Sequence, residues 1–210
     1  MIETKIVRPD DPAWLAIVVG TLRGGGLVAF PTDTVYGVGA GAFEGRAIQR
    51  IFAAKGRQED NPIPVLLAGV SEIDRVAKPL TARVRLLAEA YWPGPLTIVV
   101  PKGRGVPEAI GRAGTVGLRA PDHPVAMSIL SAAGPLAVSS ANRSGEPALT
   151  RPSDVLASLA GRIDVLVDGG DTPGGIPSTV VDCTQDPPRI LREGPVSLDS
   201  LLQTWGLTGS

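Results

Sequence analysis

At 210 residues the chain is long enough to bury a core of its own as one domain, and with 43% hydrophobic but only 4% aromatic residues that core must be built of Val, Leu, Ile and Ala. Lys plus Arg number 20 against 21 Asp plus Glu, a formal charge of -1, which excludes a global basic field for nucleic acid or anionic membrane. Cys183 and His123 are the only residues of their kinds, which excludes an intramolecular disulfide and a Cys/His zinc cluster.

The first residues carry Glu3, Asp10 and Asp11 and no basic-then-apolar pattern of a secretory signal. The most apolar windows, 14–22 and 63–70, fall well short of the ~20 residues that span a membrane. The expectation is a cytoplasmic protein with no membrane partner.

In chain order, Asp10 or Asp11 can cap a helix over 13–22, with Pro12 in its first turn and Gly24, Gly25 and Gly26 as its stop. Strand 27–30 follows. Residues 42–54 have helical periodicity, with Ala47, Ile48, Ile51 and Phe52 on one face, and 63–68 reads as a buried strand. A second strong helix covers 81–91, with Val84, Leu86, Leu87 and Ala88 directed inward, and is closed by Trp92, Pro93, Gly94 and Pro95. Strands are predicted at 96–100, 115–119, 136–139, 165–167, 178–182 and 189–192, helices near 125–133 and 153–160, and fraying over 204–210. Interleaved strands and helices, with the last strands closely spaced, predict an α/β fold: a twisted mixed β-sheet with helices on its faces. The 26 Gly and 20 Pro fall at strand ends, so the expectation is a single domain over 1–210 with a core at about 17–196 and a short tail.

Residues 31–41, PTDTVYGVGAG, follow the first buried strand with hydroxyls, a carboxylate and three glycines. They read equally as a tight turn or as a ligand loop in which Gly37, Gly39 and Gly41 adopt unusual backbone conformations and admit a ligand to the main chain. Lys55-Gly56-Arg57 ends a helix ahead of Asn61-Pro62. Its cations either complement the helix C-terminus or converge as a phosphate clamp about a bend at Gly56. The stretch 139–145, SSANRSG, leaves a buried strand at the sheet end where α/β proteins bind ligands, and is either a polar turn or an anion site. Arg119 and Arg192 each end a strand, and the Gly-rich segment 169–175 before Ser178 could form a lid. There is no Walker or G-x-G-x-x-G signature, no G-x-S-x-G elbow, and the one histidine lies in a Pro-Asp-His-Pro loop. What remains suits positioning reactants and stabilising anions rather than covalent catalysis.

Taken together, PTDTVYGVGA at Pro31, the KGR and NP residues 55–62, WPGPLT at Trp92, TVGLRAPDHP at Thr115, SSANRSGEPA at Ser139, PSTVVDCT at Pro177 and ILREG at Ile190 resemble the YrdC-like family of threonylcarbamoyladenylate synthases. The likeness runs over about 17–196. It implies a YrdC/RibB-like fold with an open basic cleft. It also implies a nucleotidyltransferase that joins L-threonine, bicarbonate or CO2 and ATP into threonylcarbamoyl-AMP and pyrophosphate. A partner tRNA threonylcarbamoyltransferase machinery would then modify tRNA, with weak tRNA or other RNA binding as an accompaniment.

By motif position the resemblance assigns threonine binding to Thr34, Arg119, Val138 and Ser178. ATP goes to Lys55, Arg57, Asn61, Thr115, Ser140, Asn142 and Arg192. Lys55 and Arg57 would position and neutralise the phosphates, and Mg2+ would arrive with ATP without dedicated protein ligands. Many relatives carry a histidine where this chain has Leu66, and some append a second domain whose linker closes over the nucleotide. Two other readings stay open here. One is a carbamoyladenylate-forming domain of a carbamoyltransferase, disfavoured by the chain's length and lone cysteine. The other is a double-stranded RNA or tRNA-binding module, disfavoured by the near-neutral charge.

Overall fold

Leu27 and Ala29 belong to one apolar cluster and Val28 and Phe30 to another, so the first predicted strand is buried on both faces. That double burial is the organising feature of the computed structural model, which describes residues 3–58 and 62–207. In chain order its elements are β1 (Lys5–Val7), α1 (Trp14–Arg23), β2 (Val28–Phe30), β3 (Gly37–Gly41), α2 (Gly45–Lys55), β4 (Val65–Leu66), a 3-10 segment (Val70–Arg75), α3 (Ala82–Tyr91), β5 (Leu96–Pro101), β6 (Thr115–Arg119), α4 (Pro124–Ala133), β7 (Leu136–Ser140), α5 (Pro152–Leu159), β8 (Val165–Val167), β9 (Thr179–Asp182), β10 (Arg189–Arg192) and α6 (Leu198–Trp205).

All the strands join one sheet in the order β1-β8-β2-β3-β7-β4-β6-β5-β9-β10. Four of its pairings are parallel (β1 with β8, β2 with β8, β4 with β6, β5 with β9) and the rest antiparallel, the mixed sheet expected from the sequence. Helices α1 and α4 cover one face through Val18, Leu22, Val125 and Ile129. Helices α2, α3, α5 and α6 cover the other through Ile48, Leu87, Val155 and Leu201. Among the described residues no helix is long and apolar enough to cross a membrane.

Local chemistry sets the element ends. Gly56 terminates α2 in the left-handed region at φ 60, where its N–H and that of Arg57 return to the carbonyls of Ala53 and Phe52. His123 caps α4, its Nδ1 accepting from Val125 N at 3.3 Å, and Pro124 opens the first turn.

Several expectations are corrected. Asp11 does accept from Ala13 N at 2.8 Å, but α1 starts at Trp14 and has no side-chain cap. Leu86 is 53% exposed, because it lies on the opposite side of α3 from Val84, Leu87 and Ala88. The fraying expected from 204 is pre-empted by α6, whose Leu201 and Trp205, one turn apart, are buried while Trp205 Nε1 donates to Asp186. Residues 208–210 lie outside the described residues. Half of the presumed loop 31–41 is strand β3, paired with β2 and β7 in the middle of the sheet.

Candidate functional site

Strand β6 alternates: Val116 and Leu118 are buried in the core while Thr115, Gly117 and Arg119 face a cavity of about 650 Å3. Neighbouring strands continue that floor through Thr97 and Val99 of β5 and Val180 and Asp182 of β9. The cavity also takes in Thr32, Thr34, Gly37 and Val138 on one side, and Arg57, Ser139, Ser140, Ser178 and Arg192 elsewhere around its wall. The separate motifs of the sequence therefore meet in one concavity at strand ends. Of the residues assigned by resemblance, Thr34, Arg57, Thr115, Arg119, Val138, Ser140, Ser178 and Arg192 all line it. Asn61 lies outside the described residues.

Arg119 is held on three sides. Its Nε donates to the Gly94 carbonyl at 2.9 Å, Nη1 to Thr34 Oγ1 at 3.0 Å and Nη2 to Asp33 Oδ1 at 2.5 Å. A guanidinium has five N–H donors, so among the described residues one N–H remains on each terminal nitrogen. The Asp33–Arg119 ion pair is nearly dry, with side-chain exposures of 13% and 8%. Burial lowers the arginine's pKa, and the Asp33 charge opposes that shift.

Thr34 is locked from behind. Thr32 Oγ1 lies 3.1 Å from its hydroxyl, and its carbonyl accepts from Gly175 N and Thr172 Oγ1. The segment 169–175, suspected as a lid, is packed down: Tyr36 Oη donates to Gly170 O at 2.7 Å. At Gly174 a Cβ would come within 2.7 Å of Asp33 O and 2.9 Å of Thr34 Cα. Arg192 reaches across to Ser178, donating to its carbonyl from Nε (3.1 Å) and Nη2 (2.8 Å) and to its Oγ (3.1 Å). Ser178 Oγ is also 2.8 Å from Thr97 Oγ1. Arg192 has a lowered pKa, from burial first and then from Arg119 nearby.

The KGR segment divides. Arg57 lines the cavity, with Nη2 on the Pro62 carbonyl at 3.1 Å and its pKa lowered by burial. Lys55 does not reach the cavity. It is 1% exposed, and its Nζ donates to the carbonyls of Ser140 and Asn142 while Ser144 N donates to its own carbonyl. Burial, and then Arg57, pull the ammonium down to about 7. Asn142 is likewise turned inward, Nδ2 donating to Arg143 O and Glu146 O, both at 2.8 Å. Neither Lys55, expected beside the phosphates, nor Asn142, expected at ATP, lines the cavity: a cation at a helix end can satisfy main-chain carbonyls as well as a ligand, and here the carbonyls of Ser140 and Asn142 take it.

The unusual backbone conformations expected of the three glycines are corrected too. None of Gly37, Gly39 and Gly41 has a positive φ. A Cβ on Gly37 would meet Val138 Cγ1 at 2.6 Å, and on Gly39 Val138 Cγ2 at 3.0 Å, so these residues make room for the neighbouring strand. Gly94, Arg112 and Asp182 were given no site role from the sequence, and Asp33, counted as the carboxylate of the 31–41 stretch, was given no partner. Asp33 lay in plain view inside PTDT, and Gly94 inside WPGP. Arg112 sits in a tight turn between Gly111 and Gly114, which both have positive φ, where Thr115 Oγ1 donates to its carbonyl at 2.7 Å. Cys183 is buried and its thiol is pushed up to about 12, and among the described residues no Cys or His lines the cavity. The arginines and hydroxyls of the lining suit the holding and orienting of anions.

A protein-family model for Sua5, YciO and YrdC, described as telomere recombination, matches residues 20–194. The chain is 42% identical over 203 residues to threonylcarbamoyl-AMP synthase of Pyrococcus abyssi, covering 95% of this chain and 60% of the relative. It is 39% identical over 201 residues to the protein of the same name from Bacillus subtilis, covering 94% and 58%. The crystal structure of P. abyssi Sua5 complexed with L-threonine has TM-score 0.91 and 40% identity, covering 98% of this chain and 61% of that one. The chain thus spans about three fifths of the length of these relatives.

Proposed function

Because the chain belongs to the Sua5/YciO/YrdC family, we propose that it is an L-threonylcarbamoyladenylate synthase supplying an activated threonylcarbamoyl group for tRNA modification. The observation that carries this reading is Arg119, a buried guanidinium of the cavity lining fixed by Asp33, Thr34 and Gly94, whose terminal nitrogens each carry one N–H beyond those three bonds. That is a fork for one carboxylate. An amino acid so held is completed by the hydroxyls of Thr34 and Ser178 and the backbone at Val138.

The chemistry needs alignment rather than a protein nucleophile. The threonine amine adds to CO2 derived from bicarbonate and loses a proton, giving a carbamate. A carbamate oxygen then forms a bond to the α-phosphorus of ATP as the bond to the β-phosphate oxygen breaks and pyrophosphate leaves. Arg57, Ser140 and Arg192, joined by Thr115 and Asn61, hold the nucleotide and spread the charge that develops on phosphate oxygens. Lys55 and Asn142 act one step back, fixing the turn that presents Ser140. Mg2+ would travel on the nucleotide's own phosphates. The product passes to a tRNA threonylcarbamoyltransferase.

The test is mass-spectrometric detection of threonylcarbamoyl-AMP with threonine, bicarbonate and ATP omitted in turn. Product should require all three, and Arg57→Ala should abolish it with the fold intact. Pyrophosphate release indifferent to threonine would overturn the reading.

A further inference from the structure

Asp182 is the one carboxylate lining the cavity among the described residues, whereas Arg57, Arg112, Arg119 and Arg192 line it as cations. A carboxylate facing a triphosphate or an amino-acid carboxylate would repel it, so Asp182 faces neither of those groups. Its position agrees. It pairs in register with Val99, which pairs with Gly117, so the three share one cross-strand row of the floor. Ser178, at the threonine end, lies four residues back along the same chain, roughly 13 Å at strand rise. Beside Asp182 this row is apolar, with Val99 and Gly117. Gly117 has no side chain where a Cβ would press on Thr97 Cγ2 at 3.1 Å and Pro64 Cβ at 3.4 Å, and Val99 continues the surface. A heterocycle or sugar can lie there with a donor at its edge.

The carboxylate is also pre-set. Its Oδ1 accepts from Thr184 N at 2.9 Å and Thr184 Oγ1 at 2.7 Å, which fixes the plane, while among the described residues Oδ2 has no partner. Resting on the ATP-dependent reading above, we propose that Asp182 is a specificity-determining residue that accepts a hydrogen bond from the nucleoside half of ATP, either a ribose hydroxyl or the exocyclic amine of adenine. Either donor has the same chemistry, an O–H or N–H directed at a fixed anionic oxygen. A base with a carbonyl in place of the amine, or a sugar lacking the hydroxyl, leaves the carboxylate unpaired.

Asp182→Asn separates this role from turn capping, because an amide oxygen can still accept from Thr184. Wild type and variant are compared with ATP, ITP, 2′-deoxy-ATP and 3′-deoxy-ATP by threonine- and bicarbonate-dependent pyrophosphate release, with thermal stability measured beside it. With ATP the variant should lose about ten- to hundredfold in kcat/KM. The wild type's preference for ATP over one analogue should collapse to near unity in the variant. Collapse against ITP identifies the amine, and collapse against a deoxynucleotide identifies that hydroxyl. Equal loss for every nucleotide, or no loss, overturns the proposal and leaves Asp182 a turn cap. A wild type that releases no pyrophosphate from ATP overturns the synthase reading instead.

Discussion

Lys55 Nζ lies 2.5 Å from the carbonyl oxygen of Asn142 and also donates to that of Ser140, so a single ammonium clips the end of α2 to the turn after β7. Burial and Arg57 lower its pKa from 10.5 to about 7. The unfolded chain holds the lysine proton up to about 10.5, so between about 7 and 10.5 the unfolded state binds more protons and stability rises with pH. The penalty for charging the buried amine is fully present below about 7. Denaturant titrations at pH 6.5 and 9.5 should show a gain on the order of a few kcal/mol in the wild type that Lys55→Met lacks. Identical pH slopes in the two proteins would exclude this assignment. At either pH the Met variant should also lose about 1–3 kcal/mol for each carbonyl left without a donor.

Asp33 reaches the cavity only through Arg119: it pairs with Nη2 at 2.5 Å and does not itself line the wall. Asp33→Ala should therefore raise KM for threonine about ten- to hundredfold while KM for ATP stays within about twofold. Arg119→Lys should do the same, since a lysine cannot make the three anchoring bonds and still offer a fork. Steady-state kinetics with each substrate varied separately decides it. A parallel rise in both KM values would point to a damaged cavity rather than a misaimed arginine.

Arg192 and Ser178 couple the two ends of the site, because the arginine assigned to ATP rests on the carbonyl and hydroxyl of the serine assigned to threonine. Arg192→Met should weaken both substrates, whereas Ser178→Ala, which keeps the carbonyl, should weaken threonine alone, by roughly 1 kcal/mol. Isothermal titration of each substrate against the two variants checks this. If Arg192→Met leaves threonine binding at the wild-type value, the bridge has no energetic weight.

The polar strand ends were legible because each motif carried several donors behind an apolar run, and the order of motifs assembled them into one site. Arg119 could be picked out from Thr115 onward, where hydroxyl, glycine and arginine alternate with Val116 and Leu118. What could not be read was direction. A lysine two residues from Arg57 on the far side of a left-handed glycine has the same chemistry whether it points to a ligand or to carbonyls 85 residues on. The same holds for Asn142, whose amide closes its own turn. Strand β1 has three residues with a single buried side chain and so gave no strong alternation, whereas α6 carries Leu198, Leu201, Leu202 and Trp205 at helical spacing and was missed because it lies beyond the last motif. Asp33 was counted with the loop's polar groups but not paired with Arg119, although an acid beside a site suited to anions calls for a basic partner.

Gly37 of β3 pairs with Ser140 of β7 and has Val138 as its diagonal neighbour, and Gly37 and Val138 together test whether the glycines of the 31–41 stretch serve a ligand or the sheet. A Cβ on Gly37 would lie 2.6 Å from Val138 Cγ1, closer than side-chain carbons approach, and β7 lies in the middle of the sheet and cannot withdraw freely. Gly37→Ala should cost about 1–3 kcal/mol of stability by overpacking. Val138→Ala removes the opposing methyl groups and by itself should cost a comparable amount through lost burial. The double variant should then be more stable than the sum of the single changes by about 1 kcal/mol or more, a coupling read from a double-mutant cycle of denaturation midpoints. Additive losses would mean that the alanine is accommodated without touching Val138, and would return Gly37 to the role of a backbone kept bare for a ligand.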